Sequence, residues 1–467
     1  MRQSRRKSKS PLAAGTGIGI IRRVTPDEIA AQSHSSPTHS AQAAGRYKWW
    51  VVFMLWFVCF FNYADRQSIS AVFPKLKEEF GFDPVQLGLI GSAFAWVYAA
   101  GAPFAGFIAD RVSRKRLILG GCLFWSGITM MTGWCAKLWQ FVAVRALEGL
   151  GETFYFPATM SLVSDYHDGR TRSRAFSLHQ SSVYAGTILG SWLGAWFAER
   201  HGWRVGFYFF GGAGIVLALA LWKFLREPVR GAADRMAVAA AGRQLPPPAL
   251  GVRAVAKEIF RKPTALLLMA AFVGANFVAT IFLTWTPTFL VDKFHFKLTA
   301  AGLSGSVFIH LASALSVPLG GVLADYFVRR FAGGRMLVQA LGLILGAGFV
   351  ALVGLTKDVT TLLVAMTIFG LGKGLYDANI FASLYDVIEP RARATAAGIM
   401  NTVGWGSGAL GPLAVGFATK YGRHASQIDN MSEAIAFGAV IYVVGAALLL
   451  VAAFRFAPRD AVMRPAG

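Results

Sequence analysis

The sequence predicts an all-α polytopic membrane protein: 12 transmembrane helices in two six-helix bundles related by a pseudo-two-fold axis. Three observations predict it: composition, the spacing of apolar runs, and an internal repeat. Of 467 residues, 55% are hydrophobic and only 15% are charged, with a mean hydropathy of +0.49. A soluble chain carries about 25% charge, so this one lacks the polar surface to remain in water. A disordered chain, a disulfide scaffold and an ordinary cytosolic enzyme are poor fits. Cys59, Cys122 and Cys135, an odd set without paired spacing, lie in or beside apolar runs and read as small core residues.

A bilayer core takes about 20 apolar residues per helix. Runs of this kind fall at 49–72, 85–109, 117–134, 139–162, 175–198 and 205–225. Six more fall at 265–290, 300–324, 336–356, 361–385, 395–418 and 434–455. These are spans 1 to 12. Residues 1–48 are polar and basic and read as a disordered cytoplasmic tail rather than a signal peptide, because the next apolar run is too long. Arg2, Arg5, Arg6, Lys7 and Lys9 can attract an anionic lipid surface, although a solvated tail is the favoured reading. Spans 1 to 6 give an N-terminal bundle over 49–225. Residues 226–264, with Pro246, Pro247 and Pro248, read as a cytoplasmic linker. Spans 7 to 12 give a C-terminal bundle over 265–455, and 456–467 is a second cytoplasmic tail.

The net charge of +22 is distributed by side. Of 46 Lys and Arg residues, 32 fall in the termini and the loops after even-numbered spans, counting Arg455 at the edge of span 12 with the C-terminus, 10 in the loops after odd-numbered spans, and four within spans. The positive-inside bias places both termini in the cytoplasm of a cell whose inner (plasma) membrane holds the protein. A nucleic-acid partner is not expected, since the basic residues are not gathered on one folded face.

The halves repeat. Gly149-Leu150-Gly151-Glu152 in span 4 aligns with Gly370-Leu371-Gly372-Lys373 in span 10, an offset of 221. At the same offset Tyr155 meets Tyr376, Asp165 meets Asp386, Arg170 meets Arg391, Arg172 meets Arg393 and Gly190 meets Gly411. Gly106–Asp110 after span 2 matches Gly321–Asp325 after span 8 at an offset of 215. Span n thus matches span n+6 in the same direction, which gives parallel repeats about an axis along the membrane normal, with a site between them.

The stretch Gly106-Phe107-Ile108-Ala109-Asp110-Arg111-Val112-Ser113-Arg114-Lys115-Arg116 resembles the loop 2–3 signature of the major facilitator superfamily, with Ser113 in place of the usual second glycine. Arg145-Ala146-Leu147-Glu148-Gly149-Leu150-Gly151-Glu152 resembles that superfamily's span 4 motif. Within the superfamily, Asn62-Tyr63-Ala64-Asp65-Arg66 and Trp285-Thr286-Pro287-Thr288-Phe289-Leu290 resemble the anion:cation symporters, which include galactonate, glucarate and hexuronate transporters and sialin-type carriers. The likeness covers about residues 48–455.

A charge at mid-membrane costs about 2.5–3.5 kcal/mol on insertion scales, so intramembrane charges mark an interior pathway. Span 1 holds Asp65 and Arg66; span 4 holds Arg145, Glu148 and Glu152; span 10 holds Lys373 and Asp377. The span 4 charges, three and four residues apart, share one face, and Lys373 can pair with Asp377 along its helix. By the repeat, Glu152 and Lys373 sit at equivalent depths and can face one another across a central cavity. The planar fork of an arginine matches a carboxylate, which makes Arg66 and Arg145 candidate anion binders. Asp65 and Glu152 are candidate proton carriers. The resemblance implies the same functional positions for Asp65, Arg66, Arg145 and Glu152, and a substrate-lining role for Tyr98. Lys373 and Asp377 lie outside the family pattern and can mark a second anionic group. Gln180, His179, Tyr184, Asn276 and His310 can line the cavity or simply pack, as can Trp96, Trp285 and Trp405. Asp110 and Arg114, with Asp325 as the weaker counterpart, suit gating at the cytoplasmic face.

The expected function is proton-coupled symport of a small organic anion, a sugar acid or related carboxylate, by alternating access, with sodium as the alternative coupling ion. The competing readings are an exporter, either spinster-like for lipid or a drug:proton antiporter, and a non-transporting sensor on the same fold. Spinster-type carriers share the span 1 Asn-Tyr-x-Asp-Arg. Span 5 lacks the glycine-proline signature of antiporters. No metal cluster, nucleotide fingerprint or cofactor motif is found, so an enzyme is not expected; a monomer is.

Overall fold

The structure, a computed structural model, describes residues 37–109, 111–168, 171–228 and 251–462. Among them it is helical, with no strand. The first half contains α1 (Pro37–Ala71), α2 (Phe73–Phe80), α3 (Pro84–Ala109), α4 (Arg114–Thr132), α5 (Leu138–Thr153), α6 (Tyr155–Tyr166), α7 (Arg172–Arg200) and α8 (Trp203–Phe224). The second contains α9 (Val252–Arg261), α10 (Pro263–Phe294), α11 (Leu298–Val328), α12 (Gly334–Leu355), α13 (Val359–Asp377), α14 (Ile380–Val387), α15 (Arg393–Gly408), α16 (Leu410–Tyr421) and α17 (Gln427–Val451). The chain groups into two units, Met1–Tyr47 and Lys48–Gly467, and the packed helices with the cavity between them belong to the second.

Each sequence-predicted span falls in this set, but three are broken. Span 4 divides at Phe154, into α5 and α6. Pro157 follows three residues later, and its ring and missing N–H disrupt the preceding turn. Span 11 divides at Ala409, three residues before Pro412, for the same reason. Span 10 divides at Ala378 and Asn379, where the Asn379 amide donates to the Gly320 carbonyl at 3.1 Å. The tail also differs from expectation. Helix α1 starts at Pro37, so the last residues of the segment read as disordered are helical. Extending an existing helix through an alanine-rich stretch is far easier than nucleating one. Residues 1–36, Asp110, Arg170, the linker prolines and the last five residues lie outside the described residues. So does most of the linker, although its C-terminal end forms α9, whose Val255 and Ile259 are buried.

Seven helical stretches among the described residues are long and apolar enough to cross a membrane on length and composition alone. The remaining spans, in α1, α4, α5 with α6, α7, and α15 with α16, are shortened by breaks or carry polar residues. A helix that turns charged and hydroxyl groups toward an interior cavity loses apolarity without losing its place in the bilayer.

Glycine contacts carry the repeat into three dimensions. A Cβ on Gly149 would collide with the Phe94 carbonyl oxygen, and one on Gly370 with that of Ile309. Gly149 and Gly370 differ by 221, Phe94 and Ile309 by 215, the two offsets read from the sequence. Likewise a Cβ on Gly121 would stand 3.3 Å from the Gly151 carbonyl oxygen, and one on Gly342 2.5 Å from that of Gly372. Gly190 abuts the Ala64 backbone, and its partner Gly411 abuts Phe277. Small residues allow this close approach, which is how membrane helices gain packing where lipid offers no hydrophobic drive.

At the end bearing the even-numbered loops, each half is tied within itself. Arg114 pairs with Asp165 and with Glu227 (3.3 Å), and its Nη1 donates to Ser161 at 3.2 Å. In the other half Arg335 bridges Asp325 (3.3 Å) and Asp386 (3.1 Å). Arg114 and Arg335, like Asp165 and Asp386, are 221 apart. Burial pulls Glu227 upward, but hydrogen bonds from Ser113, the Arg114 backbone and the Arg114 side chain outweigh it and hold its carboxyl below the usual range. At the opposite end, contacts cross between halves. Lys420 pairs with Asp83 (2.8 Å), Lys77 with Asp292 (3.2 Å), and the Thr299 backbone N–H donates to Glu199 at 2.7 Å. A Cβ on Gly302 would meet the Ser191 carbonyl at 2.7 Å.

Candidate functional site: a charged cavity between the halves

Arg66 is the centre of the site. It lies at the cavity wall, and its Nε donates to Glu152 Oε2 at 3.1 Å while Nη2 forms an ion pair with the same carboxylate. Nη2 also donates to Asn62 Oδ1 at 3.3 Å, one turn back on α1. Four aromatic rings surround the guanidinium: Phe94 at 4.4 Å, Tyr63 at 4.5 Å, Trp405 at 5.4 Å and Tyr98 at 5.5 Å. Such stacking is worth about 0.5–2 kcal/mol per contact and fixes the plane of the fork. Arg66 Nη1 and Glu152 Oε1 are buried and find no hydrogen-bond partner among the described residues.

Behind Arg66 lies an acidic group. One carboxylate oxygen from each of Asp65, Glu148 and Glu152 lies within 4.8 Å of the others. Asp65 accepts from the Arg66 backbone N–H at 2.7 Å and from the Thr129 hydroxyl at 3.2 Å. Arg145 is paired with Glu148 three residues on and stacks over Phe94 at 5.0 Å. Three carboxylates therefore share two guanidinium groups.

The cavity itself has a volume of about 240 Å³ and draws on both halves. The first half contributes Arg66, Arg145, Gln180 and Tyr184, and the second Asn276, His310, Lys373, Asp377 and Trp405. Lys373 and Asp377 are ion-paired. Of the sequence-predicted residues, Asp65 and Glu152 stand behind the wall and do not line it. The expected face-to-face arrangement of Glu152 and Lys373 is therefore not seen: Lys373 lines the cavity, and Glu152 is screened by Arg66. Tyr98 also departs from expectation; its ring packs between Phe94 and Trp405, 7% exposed and outside the cavity lining. His179 is buried against Tyr155 with a 3.0 Å hydrogen bond, and Trp285 is a core residue whose Nε1 donates to the Pro412 carbonyl at 2.9 Å. Trp96 packs beside Tyr98. Arg114 and Asp325 lie in the even-loop clusters, remote from the cavity lining. The three cysteines are buried and free.

Sequence reasoning missed Tyr63, Gln67, Phe94 and Thr284 as lining residues. Tyr63 stands three positions before Arg66, so helical spacing was a signal for it. Phe94 carried none, because its role depends on how α3 meets α1.

Parallel helical repeats around an ion-paired cavity define a membrane carrier rather than an enzyme. The chain belongs to the major facilitator superfamily, whose family model matches residues 55–412 and 311–466. It is a multi-pass transporter of that type. Among curated proteins it is 29% identical over 411 residues to a sodium-dependent phosphate transport protein 1, chloroplastic, of Arabidopsis thaliana, covering 85% of this chain and 78% of that one. It is 25% identical over 409 residues to the probable galactarate/D-glucarate transporter GudP of Escherichia coli (82% and 90%), and 29% identical over 367 residues to protein spinster of Drosophila melanogaster (76% and 59%). Among solved structures, an inward-facing, unoccupied bacterial spinster homologue aligns with a TM-score of 0.76 at 21% identity, covering 89% of this chain and 99% of that one. At that identity the likeness concerns the fold alone.

Proposed function

We propose that this protein is a proton-coupled symporter that carries a small organic anion, a sugar acid or related carboxylate, by alternating access. The observation that carries the reading is Arg66: a guanidinium at the cavity wall whose Nη1 has no hydrogen-bond partner among the described residues and whose plane is fixed by aromatic rings. A carboxylate of the substrate takes the fork, while Arg145, on the same wall, stays paired with Glu148. The proton follows from the balance of charges. Three carboxylates share two guanidinium groups, so one acidic group lacks a counter-charge, and a proton supplies it. When substrate draws Arg66 away from Glu152, that carboxylate needs a proton as well. Asp65 and Glu152 are the carriers in this scheme. Sodium is the less favourable occupant, because an ion there would sit beside two guanidinium groups.

The conformation suits uptake. Contacts between halves close the odd-loop end, and the clusters at the even-loop end stay within each half. With the even loops cytoplasmic, as the 32-to-10 charge bias supports, the cavity faces inward. The membrane is the cell's inner (plasma) membrane, Arg114 and Asp325 belong to the cytoplasmic gate, and relatives named as galactarate/D-glucarate and phosphate transporters support an anionic cargo. The spinster likeness favours a second reading, lipid export, but a cavity of about 240 Å³ is small even beside drug-sized pockets of about 300–1,000 Å³.

The test is uptake of radiolabelled sugar acids into proteoliposomes under an imposed pH gradient. Accumulation that collapses with a protonophore is expected, and D65N and E152Q should each abolish it. If pH-driven uptake survived in both variants, the coupling scheme would fail.

A further inference from the structure

Resting on the organic-anion reading, we propose that Lys373 anchors a second acidic group, so that the substrate is a dianion bridging the two halves, and that Asp377 occupies the ammonium until that group arrives.

The cations of the cavity are not equally available. Arg145 and Glu148 form a dry pair, with side chains 4% and 2% exposed. Arg66, from the first half, is 12% exposed, and Lys373, from the second, is 17% exposed. Both line the same cavity. A ligand in that space meets one cation on each side, one contributed by each half.

The pair between Lys373 and Asp377 is poorly suited to a purely structural role. An i, i+4 pair supports a helix best when the acid precedes the base, and here the order is reversed. Asp377 is also the last residue of α13, where the aligned peptide dipoles disfavour negative charge. Its side chain is the most exposed of the three pairs, at 24%. Order, position and exposure together describe a counter-ion that a better carboxylate replaces. A monoacid held by Arg66 leaves Lys373 to Asp377; a diacid satisfies both cations and draws the halves together over the cargo.

The test is binding to the purified full-length protein, by titration calorimetry, of a six-carbon sugar diacid (D-glucarate), the matching monoacid (D-gluconate) and the neutral alditol (D-sorbitol). The diacid should bind at least about tenfold more tightly than the monoacid. K373M should cost the diacid at least about tenfold more than the monoacid, which meets only the repulsion of the stranded Asp377 carboxylate. D377N should tighten the diacid, the opposite of what loss of a structural pair would do. The neutral double variant K373M/D377N should keep the wild-type melting temperature and lose the preference, which separates ligand binding from folding. Equal affinity for both acids in the wild type, an equal loss for both in K373M, or weaker diacid binding in a folded D377N would overturn the inference while leaving the organic-anion reading standing. Binding of sorbitol or a lysolipid with neither acid bound would overturn that reading and this inference with it.

Discussion

Span 4 and its repeat partner, span 10, meet their neighbours in the same way and carry different chemistry. Gly149 presses on the Phe94 carbonyl as Gly370 presses on that of Ile309. Yet the charges of span 4 are closed away, with Glu152 at 0% side-chain exposure and Glu148 at 2%, whereas Lys373 and Asp377 remain open to the cavity. The backbone contacts of a repeat are set by small residues that only one packing accepts. Side chains on the cavity face are free of that constraint, and there the two halves differ. The first half holds ion-paired acidic groups behind the partly exposed Arg66 guanidinium, and the second a single pair on the cavity wall.

The strongest challenge to this contrast is R66A. Breaking a buried pair by removing one partner costs about 3–5 kcal/mol, because the remaining charge is stranded. Thermal unfolding should show a large loss for R66A, and anion binding should vanish. R66A/E152Q should recover the stability but not the binding; recovery of both would show that Arg66 is structural only.

Packing should respond alike in the two halves. G149V and G370V both force a side chain into a backbone carbonyl, and overpacking of this kind costs about 1–3 kcal/mol. Folded yield should fall comparably in both, whereas G212A, in open space, should be silent. A loss confined to one half would break the equivalence of the repeat contacts.

The smallest effect concerns the odd-loop closure. Burial tends to raise Asp83, but hydrogen bonds from Lys420 and from the Gln86 and Val85 backbones outweigh it and lower its pKa. An exposed pair is worth about 0–1 kcal/mol, so D83N should shift the conformer population less than about fivefold toward odd-side opening. A depressed carboxylate contributes above its unfolded pKa and loses that contribution as pH falls through the folded value. The difference between wild type and D83N, read by labelling a cysteine introduced at Ser70, should thus be constant above the ordinary carboxylate range and disappear in stronger acid.

Much of the fold and part of the site were legible in the chain itself. The offsets of 221 and 215 recur in the structure as glycine contacts and as the Arg114–Asp165 and Arg335–Asp386 pairs. The pairing of Lys373 with Asp377 follows from helical spacing. What spacing does not contain is the partner across a helix interface. Equivalent depth suggested that Glu152 faces Lys373, but Arg66 intervenes from α1. Tyr98 carries a family likeness to a lining residue, and in this chain Phe94 and Trp405 cover it. The amphipathic helix α9 was hidden in a linker whose average composition is polar, although Val252, Val255 and Ile259 keep helical spacing.

The central claim is that anion binding at Arg66 and proton uptake by the acidic group behind it are one event. Proton uptake on binding can be measured directly, by adding D-glucarate to the purified protein in weakly buffered solution with a pH indicator. Proton uptake in step with ligand bound is predicted for the wild type, and binding with diminished uptake for E152Q. Binding with no proton uptake by the wild type, or undiminished uptake by a variant lacking both Asp65 and Glu152 carboxylates, would contradict the claim.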